Sequence, residues 1–167
     1  MTSVKKLSVI FVMLLVLISA SSLSYAFQNE PNMFRGIKWG TDISELPQMT
    51  LVEDSGSIKV YEIKDCELSF GIFQLKCIMY VFIKGKFSGS IVKCDSRKNF
   101  ENVRASIFAY HGEGTQIDPS NEYYVWLGDN VNISMKYNPV SEETVVYYYY
   151  NPLMNEREEN DNGKISV

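Results

Sequence analysis

Two β-prone runs lie on either side of a two-residue turn near the middle of the 167-residue chain. They cover residues 75–83 and 86–94, and Lys84-Gly85 between them suits a tight hairpin, because glycine readily adopts the positive φ that such turns require. So short a connection joins only antiparallel strands, since parallel strands need a crossover of about a dozen residues. The pattern therefore predicts an antiparallel hairpin, with Phe82 opposite Phe87 on its apolar face.

Similar runs, separated by turn-forming residues, occur elsewhere in the chain. They predict further strands at residues 50–54, 58–64, 123–127, 131–137 and 144–150. Runs of strands joined by tight turns, with few helices between them, are typical of α+β proteins. We expect an antiparallel sheet of about six to seven strands, with one long and one short helix packed on one face.

The long helix is predicted over residues 96–111. Its apolar positions fall on one stripe at Phe100, Val103, Ile107 and Tyr110. Asp95 or Ser96 can form the N-cap, and Gly112 stands where a left-handed C-terminal cap belongs. A short helix should begin after Asp42, another good N-cap, and Pro47 limits its length.

The N-terminal residues 1–26 read as a secretory signal peptide. Two lysines precede an apolar stretch over residues 7–20, and small residues follow up to Ala26. The stretch is shorter than the roughly 20 residues that a membrane-spanning helix needs, so no stable membrane span is expected after cleavage. The predicted location is periplasmic in a Gram-negative cell and extracellular otherwise. Downstream we expect a flexible leader at 27–32, a single domain at 33–151 and a disordered acidic tail at 152–167.

The segment after the predicted signal peptide carries a short motif. Phe34-Arg-Gly-Ile-Lys-Trp-Gly-Thr41, followed by Ile43-Ser-Glu-Leu46, resembles the opening of a group of uncharacterised exported bacterial proteins. These proteins share an F-x-G-I-x-W-G-T stretch directly after the signal peptide, and the resemblance implies export without implying an activity. The helix-plus-antiparallel-sheet layout is also similar to small envelope domains of the β-lactamase-inhibitor-protein type, which implies inhibition of an exported enzyme as one role.

Charge and residue counts argue against several classes of function. The net charge of -4 disfavours a nucleic-acid partner, which needs a basic surface to neutralise phosphates. His111 is the only histidine, so most triads and all multi-histidine metal sites are excluded. No metal ligand set, cofactor motif or catalytic residue is predicted, and a non-enzymatic domain is favoured. The alternative is a small exported hydrolase that uses carboxylates or a cysteine together with His111.

The three cysteines leave at least one thiol unpaired if a disulfide forms. The hairpin register predicted above sets Cys77 opposite Val92, so Cys94 would be its diagonal neighbour on the same face. A Cys77–Cys94 bridge is therefore one hypothesis. Three buried thiols are the other, since proteins commonly bury unpaired cysteines.

Tyrosine is concentrated near the C-terminus, where seven of the 11 tyrosines fall between residues 123 and 150. Strand alternation divides them between two faces. One face is predicted to carry a candidate partner-binding surface formed by Tyr123, Asn132, Ser134, Lys136, Tyr147 and Tyr149. We name these six residues the tyrosine face. Such mixtures of rings, amides, a hydroxyl and a cation are typical of surfaces that recognise proteins or sugars.

Tyrosine also forms strands well and tolerates partial burial, so an outer face that is merely rich in tyrosine is the alternative. Together these features favour an exported binding domain that contacts another envelope or extracellular protein, or a glycan, without a cofactor.

Overall fold

A computed structural model describes residues 27–64, 68–70, 73–118 and 122–156. The predicted signal peptide, Cys66 and residues 157–167 of the predicted tail lie outside these ranges. In chain order the elements are β1 (Met33–Phe34), β2 (Ile37–Lys38), a 3-10 helix (Ile43–Glu45), β3 (Met49–Ser55), β4 (Ile58–Ile63), β5 (Ser69–Phe70), β6 (Phe73–Gln74), β7 (Cys77–Ile83), β8 (Lys86–Asp95), α1 (Arg97–His111), β9 (Thr115–Asp118), β10 (Tyr123–Leu127), β11 (Val131–Asn138) and β12 (Glu143–Tyr150). Residues 151–156 are also helical.

The main sheet has eight strands in the order β3-β4-β7-β8-β12-β11-β10-β9, and every neighbouring pair is antiparallel. The α+β class with an antiparallel sheet is thus confirmed, but the expected six to seven strands were too few. The overlooked strand is β9, a four-residue edge strand that is mostly exposed and lacks an apolar alternation. Pairing of β12 with β8 joins the two halves of the chain into one sheet.

The long helix α1 covers one face of this sheet. Ser96 caps it by accepting a hydrogen bond from the backbone N–H of Asn99, and Gly112 follows it with a φ of 81°. Its buried residues are Phe100, Val103, Ile107 and His111. Tyr110, expected on this stripe, is 61% exposed instead. The next buried position after Ile107 lies four residues on. His111 rather than Tyr110 therefore packs under the N-terminal segment.

A β-bulge changes the register of the β7–β8 hairpin. Phe82 does pair with Phe87, but the register shifts beyond this pair, so that Val81 lies opposite Gly89. The Ser88 hydroxyl, buried at the bulge, donates to the carbonyl of Val81. The regular register predicted from sequence was therefore wrong for the rest of the hairpin, because an extra residue in β8 cannot be recognised from alternation alone.

The bulge separates the two cysteines that the predicted register brought together. Cys77 lies opposite Lys93 on the outer face, whereas Cys94 is 2% exposed on the core face. Both are free thiols. Residues on opposite faces of a sheet point their Cβ atoms apart, so this arrangement does not form the Cys77–Cys94 bridge.

The segment that was expected to be a flexible leader packs along the domain. Phe27 contacts the His111 ring edge-on, and the backbone N–H of Gln28 donates to the carbonyl of His111. The Asn29 amide donates to the carbonyl of Tyr110, and Glu30 reaches the β10–β11 turn. These contacts connect the start of the described chain to the end of α1. Among the described residues, no helix has the length and apolarity required to cross a bilayer.

Candidate functional site

The face of the sheet opposite α1 carries all six residues of the tyrosine face. Alternation explains this, because Tyr124, Ile133 and Tyr148 point into the core and their neighbours in sequence point outward. The register sets Tyr123 opposite Lys136, Ser134 opposite Tyr147 and Asn132 opposite Tyr149. The six residues therefore lie on one continuous surface of β10, β11 and β12.

Tyr147 and Tyr149 form the centre of this surface. Their rings are parallel within 9°, with centroids 5.6 Å apart. Burial, opposed in part by the nearby Ser134 hydroxyl, raises the pKa of Tyr149 above its usual range. Both rings are partly buried and stack on each other, so they present a continuous aromatic surface.

The other members of the tyrosine face differ in what they can offer a partner. Ser134 is only 9% exposed, so it offers a partner little surface. The side-chain oxygen of Asn132 accepts hydrogen bonds from the Gly128 backbone and from the Asn151 amide, so it holds the β10–β11 turn. Tyr123 is partly buried and Lys136 is exposed, and these two remain accessible beside the central pair.

An apolar groove continues the surface beyond the tyrosine face. Tyr149 lies opposite Gly89 on β8, and Gly89 in turn lies opposite Val81 on β7. Glycine places no side chain between those of Val81 and Tyr149, and the Met154 side chain lies beside this position. The position belongs to a groove of about 240 Å³ that is lined, among others, by Val60, Val81, Ile91, Tyr147, Tyr149 and Met154.

Sequence reasoning missed the β4, β7 and β8 residues of this groove. Their membership depends on the pairing of β12 with β8, a contact between distant parts of the chain that no local pattern shows. One signal was present in the sequence. The run 77–83 is apolar at both odd and even positions, which indicates a strand with apolar neighbours on both faces.

Met154 shows how residues 151–156 relate to the groove. Its Cε atom lies 3.9 Å from the position that a Cβ on Gly89 would occupy. The helical segment after β12 therefore turns back toward the outer face and brings an apolar side chain to the groove. The tail predicted for residues 152–167 begins within this segment.

The two groups that a hydrolase would use lie in different surroundings. The Nδ1 atom of His111 is 3.1 Å from the carbonyl of Gln28, and burial lowers the pKa of the imidazole. Cys77 lines a separate cleft of about 390 Å³ together with Glu62 and Lys76, and burial raises the pKa of its thiol. A raised pKa makes a thiol a poorer nucleophile at neutral pH. Within the described ranges, no group of three or more His, Cys, Asp or Glu residues could hold a metal ion.

Comparison of the chain with protein-family models, with curated proteins and with solved structures found no significant match.

Proposed function

We propose that this chain is an exported, non-enzymatic interaction domain that binds another envelope or extracellular protein through the tyrosine face and the adjoining groove. The observation that carries the proposal is the parallel pair of Tyr147 and Tyr149 beside an apolar groove. Aromatic side chains at the centre of a surface, next to a pocket for an apolar side chain, are typical of residues that dominate binding energy.

Several features of the surface support a protein partner. The stacked rings bring a large contact area without much further loss of rotamer freedom on binding, because their neighbours already fix them. The exposed Lys136 and the Tyr123 ring border the centre and can form the polar rim that such interfaces have. The groove at Gly89 is lined by apolar side chains, Met154 among them, and an apolar side chain of the partner can pack along it.

Export is the other half of the proposal, and it rests on the sequence of residues 1–26. Cleavage after Ala26 would leave Phe27 as the first residue, and Phe27 is packed against the domain at the ring of His111. N-terminal sequencing of the protein recovered from the cell envelope or medium tests this. An N-terminus at Phe27 is expected, whereas an intact Met1 in cytosolic fractions would contradict export.

Chemical cross-linking in the native envelope, followed by mass spectrometry, tests the binding surface. We compare the unchanged protein, the double variant Tyr147→Ala/Tyr149→Ala and the control Tyr110→Ala. Tyr110 is a matched control because it is an exposed tyrosine on α1, outside the tyrosine face. The amount of cross-linked partner recovered should fall at least tenfold with the double variant. Tyr110→Ala should recover as much partner as the unchanged protein. Equal recovery with all three proteins would refute the proposal.

A further inference from the structure

A second pocket lies beside the N-terminal segment, on the other side of β12. Tyr150 follows Tyr149 in β12, so its side chain leaves the sheet on the opposite face. The pocket has a volume of about 340 Å³, within the range of pockets that hold small organic ligands. Its lining includes Glu30, Asn32, Lys38, Trp39, Asn130 and Tyr150, and it shares no residue with the tyrosine face.

Two stacked aromatic rings line one side of this pocket. Trp39 lies parallel to Tyr150 within 8°, with centroids 6.2 Å apart, and it also stacks on Phe87 at 4.9 Å. The indole N–H of Trp39 donates to the carbonyl of Pro31. Stacking and this hydrogen bond together fix the orientation of Trp39, so the wall is formed before any ligand arrives.

The carboxylate of Glu30 is fixed just as firmly. It accepts hydrogen bonds from the consecutive backbone N–H groups of Asp129, Asn130 and Val131. Gly128 makes this approach possible, because a Cβ there would lie 2.7 Å from the carboxyl carbon of Glu30. A carboxylate has about four acceptor positions. Three of them are used here, so Glu30 keeps an acceptor position in a defined place on the pocket wall.

The remaining polar groups of the pocket are uncommitted. Among the described residues, the side chains of Asn32, Lys38 and Asn130 have no hydrogen-bond or ion-pair partner, and all three are exposed. Together they supply amide donors, amide acceptors and one ammonium donor around the aromatic wall. The pocket thus combines an aromatic side with a polar rim.

We propose that this pocket binds a neutral hexopyranose, the six-membered ring unit of many glycans. A pyranose has an apolar face of C–H groups that packs on aromatic rings, and its hydroxyls both donate and accept hydrogen bonds. The pocket carries one carboxylate, Glu30, and one ammonium group, Lys38, so it has no net charge that would favour an anion or a cation over a neutral ligand. This site is independent of the protein-binding surface proposed above.

Saturation-transfer NMR with defined probes tests the assignment. The probes are the methyl pyranosides of glucose, galactose, mannose and N-acetylglucosamine, with benzoate and benzylamine as charged ring compounds. At least one pyranoside should bind saturably, and both charged probes should bind more weakly than it does. Asn32→Ala and Lys38→Ala should each weaken pyranoside binding about tenfold. These two residues are exposed, so their replacement leaves the fold intact.

The double variant Tyr147→Ala/Tyr149→Ala is the matched control, because it removes aromatic rings from the other side of the sheet. It should bind the pyranoside as the unchanged protein does, whether or not it loses the protein partner. Absence of binding by every pyranoside would overturn the assignment. Binding that Asn32→Ala and Lys38→Ala leave unchanged, or a preference for benzoate or benzylamine, would overturn it equally.

Discussion

The ring of Tyr147 lies parallel to the ring of Tyr149, two residues along β12, on the face of the sheet that α1 leaves uncovered. Residues two apart in a strand share a face, and here each ring packs on the other. The pair is therefore ordered in the free protein. Its stacked geometry, next to the groove at Gly89, is the basis of the proposed interaction surface.

Replacing Glu30 should loosen the N-terminal segment. Its carboxylate accepts three backbone hydrogen bonds from the β10–β11 turn, and bonds to a charged acceptor are worth about 1.5–3 kcal/mol each in favourable cases. Glu30→Gln should lower the free energy of unfolding by about 2 kcal/mol in urea denaturation. Glu113→Gln is the control, because Glu113 is exposed and should change stability little. Equal stability of both variants would contradict the role of Glu30.

The single histidine gives a direct test of the packing at the end of α1. Burial lowers the pKa of His111 below its ordinary value of 6.5. Since the chain has one histidine, its imidazole proton signal in NMR is unambiguous. The titration midpoint in the folded protein should lie below 6.5. A midpoint at or above 6.5 would show that the ring is solvated rather than packed against Phe27.

The same shift predicts the direction of a pH effect on stability. The unfolded chain binds a proton at His111 more readily than the folded protein does, so its contribution to stability is complete above pH 6.5. That contribution is lost as the pH falls from 6.5 through the lower pKa of the folded protein, by at most about 1.4 kcal/mol per pH unit. Urea denaturation at several pH values should show a steeper loss for the unchanged protein than for His111→Gln. Parallel pH profiles would contradict this linkage.

Removing the hydroxyl groups of two buried serines on β8 should change the free energy of unfolding in different ways. Ser88 is fully buried and donates to the carbonyl of Val81, whereas Ser90 is 1% exposed and its hydroxyl has no hydrogen-bond partner in the part of the chain that the structure describes. Ser88→Ala should lower the free energy of unfolding by about 1 kcal/mol. Ser90→Ala should leave it unchanged or raise it, because the variant no longer buries an unpaired hydroxyl. The reverse order would contradict the bulge geometry.

The cysteines provide a chemical test of the hairpin register. Non-reducing peptide mapping should find no peptide that links Cys77 with Cys94, since the two lie on opposite faces of the sheet. In the folded protein, Cys77 in its cleft should react with a maleimide faster than Cys94, which is 2% exposed. A linked peptide, or faster reaction of Cys94, would contradict this register.

Local sequence patterns predicted much of this fold. The Lys84-Gly85 turn, the Ser96 and Gly112 caps and the outward set around Tyr147 all follow from short-range rules, because a turn, a cap or an alternation depends on adjacent residues. The bulge at Ser88 and the pairing of β12 with β8 do not follow from such rules. They depend on contacts between distant strands, which a single sequence does not reveal.

The same limit applies to the candidate sites. The tyrosine face was found because its residues are close in sequence and alternate regularly. The groove at Gly89 and the pocket at Trp39 were missed because their residues come from separate segments, as Glu30 and Asn130 illustrate. Trp39 belongs to the motif near the N-terminus, but the sequence does not show that it stacks on Tyr150.

Covalent footprinting of tyrosines is the measurement that tests the central claim most directly. The protein is treated with a tyrosine-modifying reagent alone and in complex with its cross-linked or captured partner, and modification is read by mass spectrometry. Partner binding should protect Tyr123, Tyr147 and Tyr149 and leave the exposed Tyr110 as reactive as before. Protection of Tyr110 with unchanged reactivity at Tyr147 and Tyr149 would contradict the proposal that the tyrosine face is the binding surface.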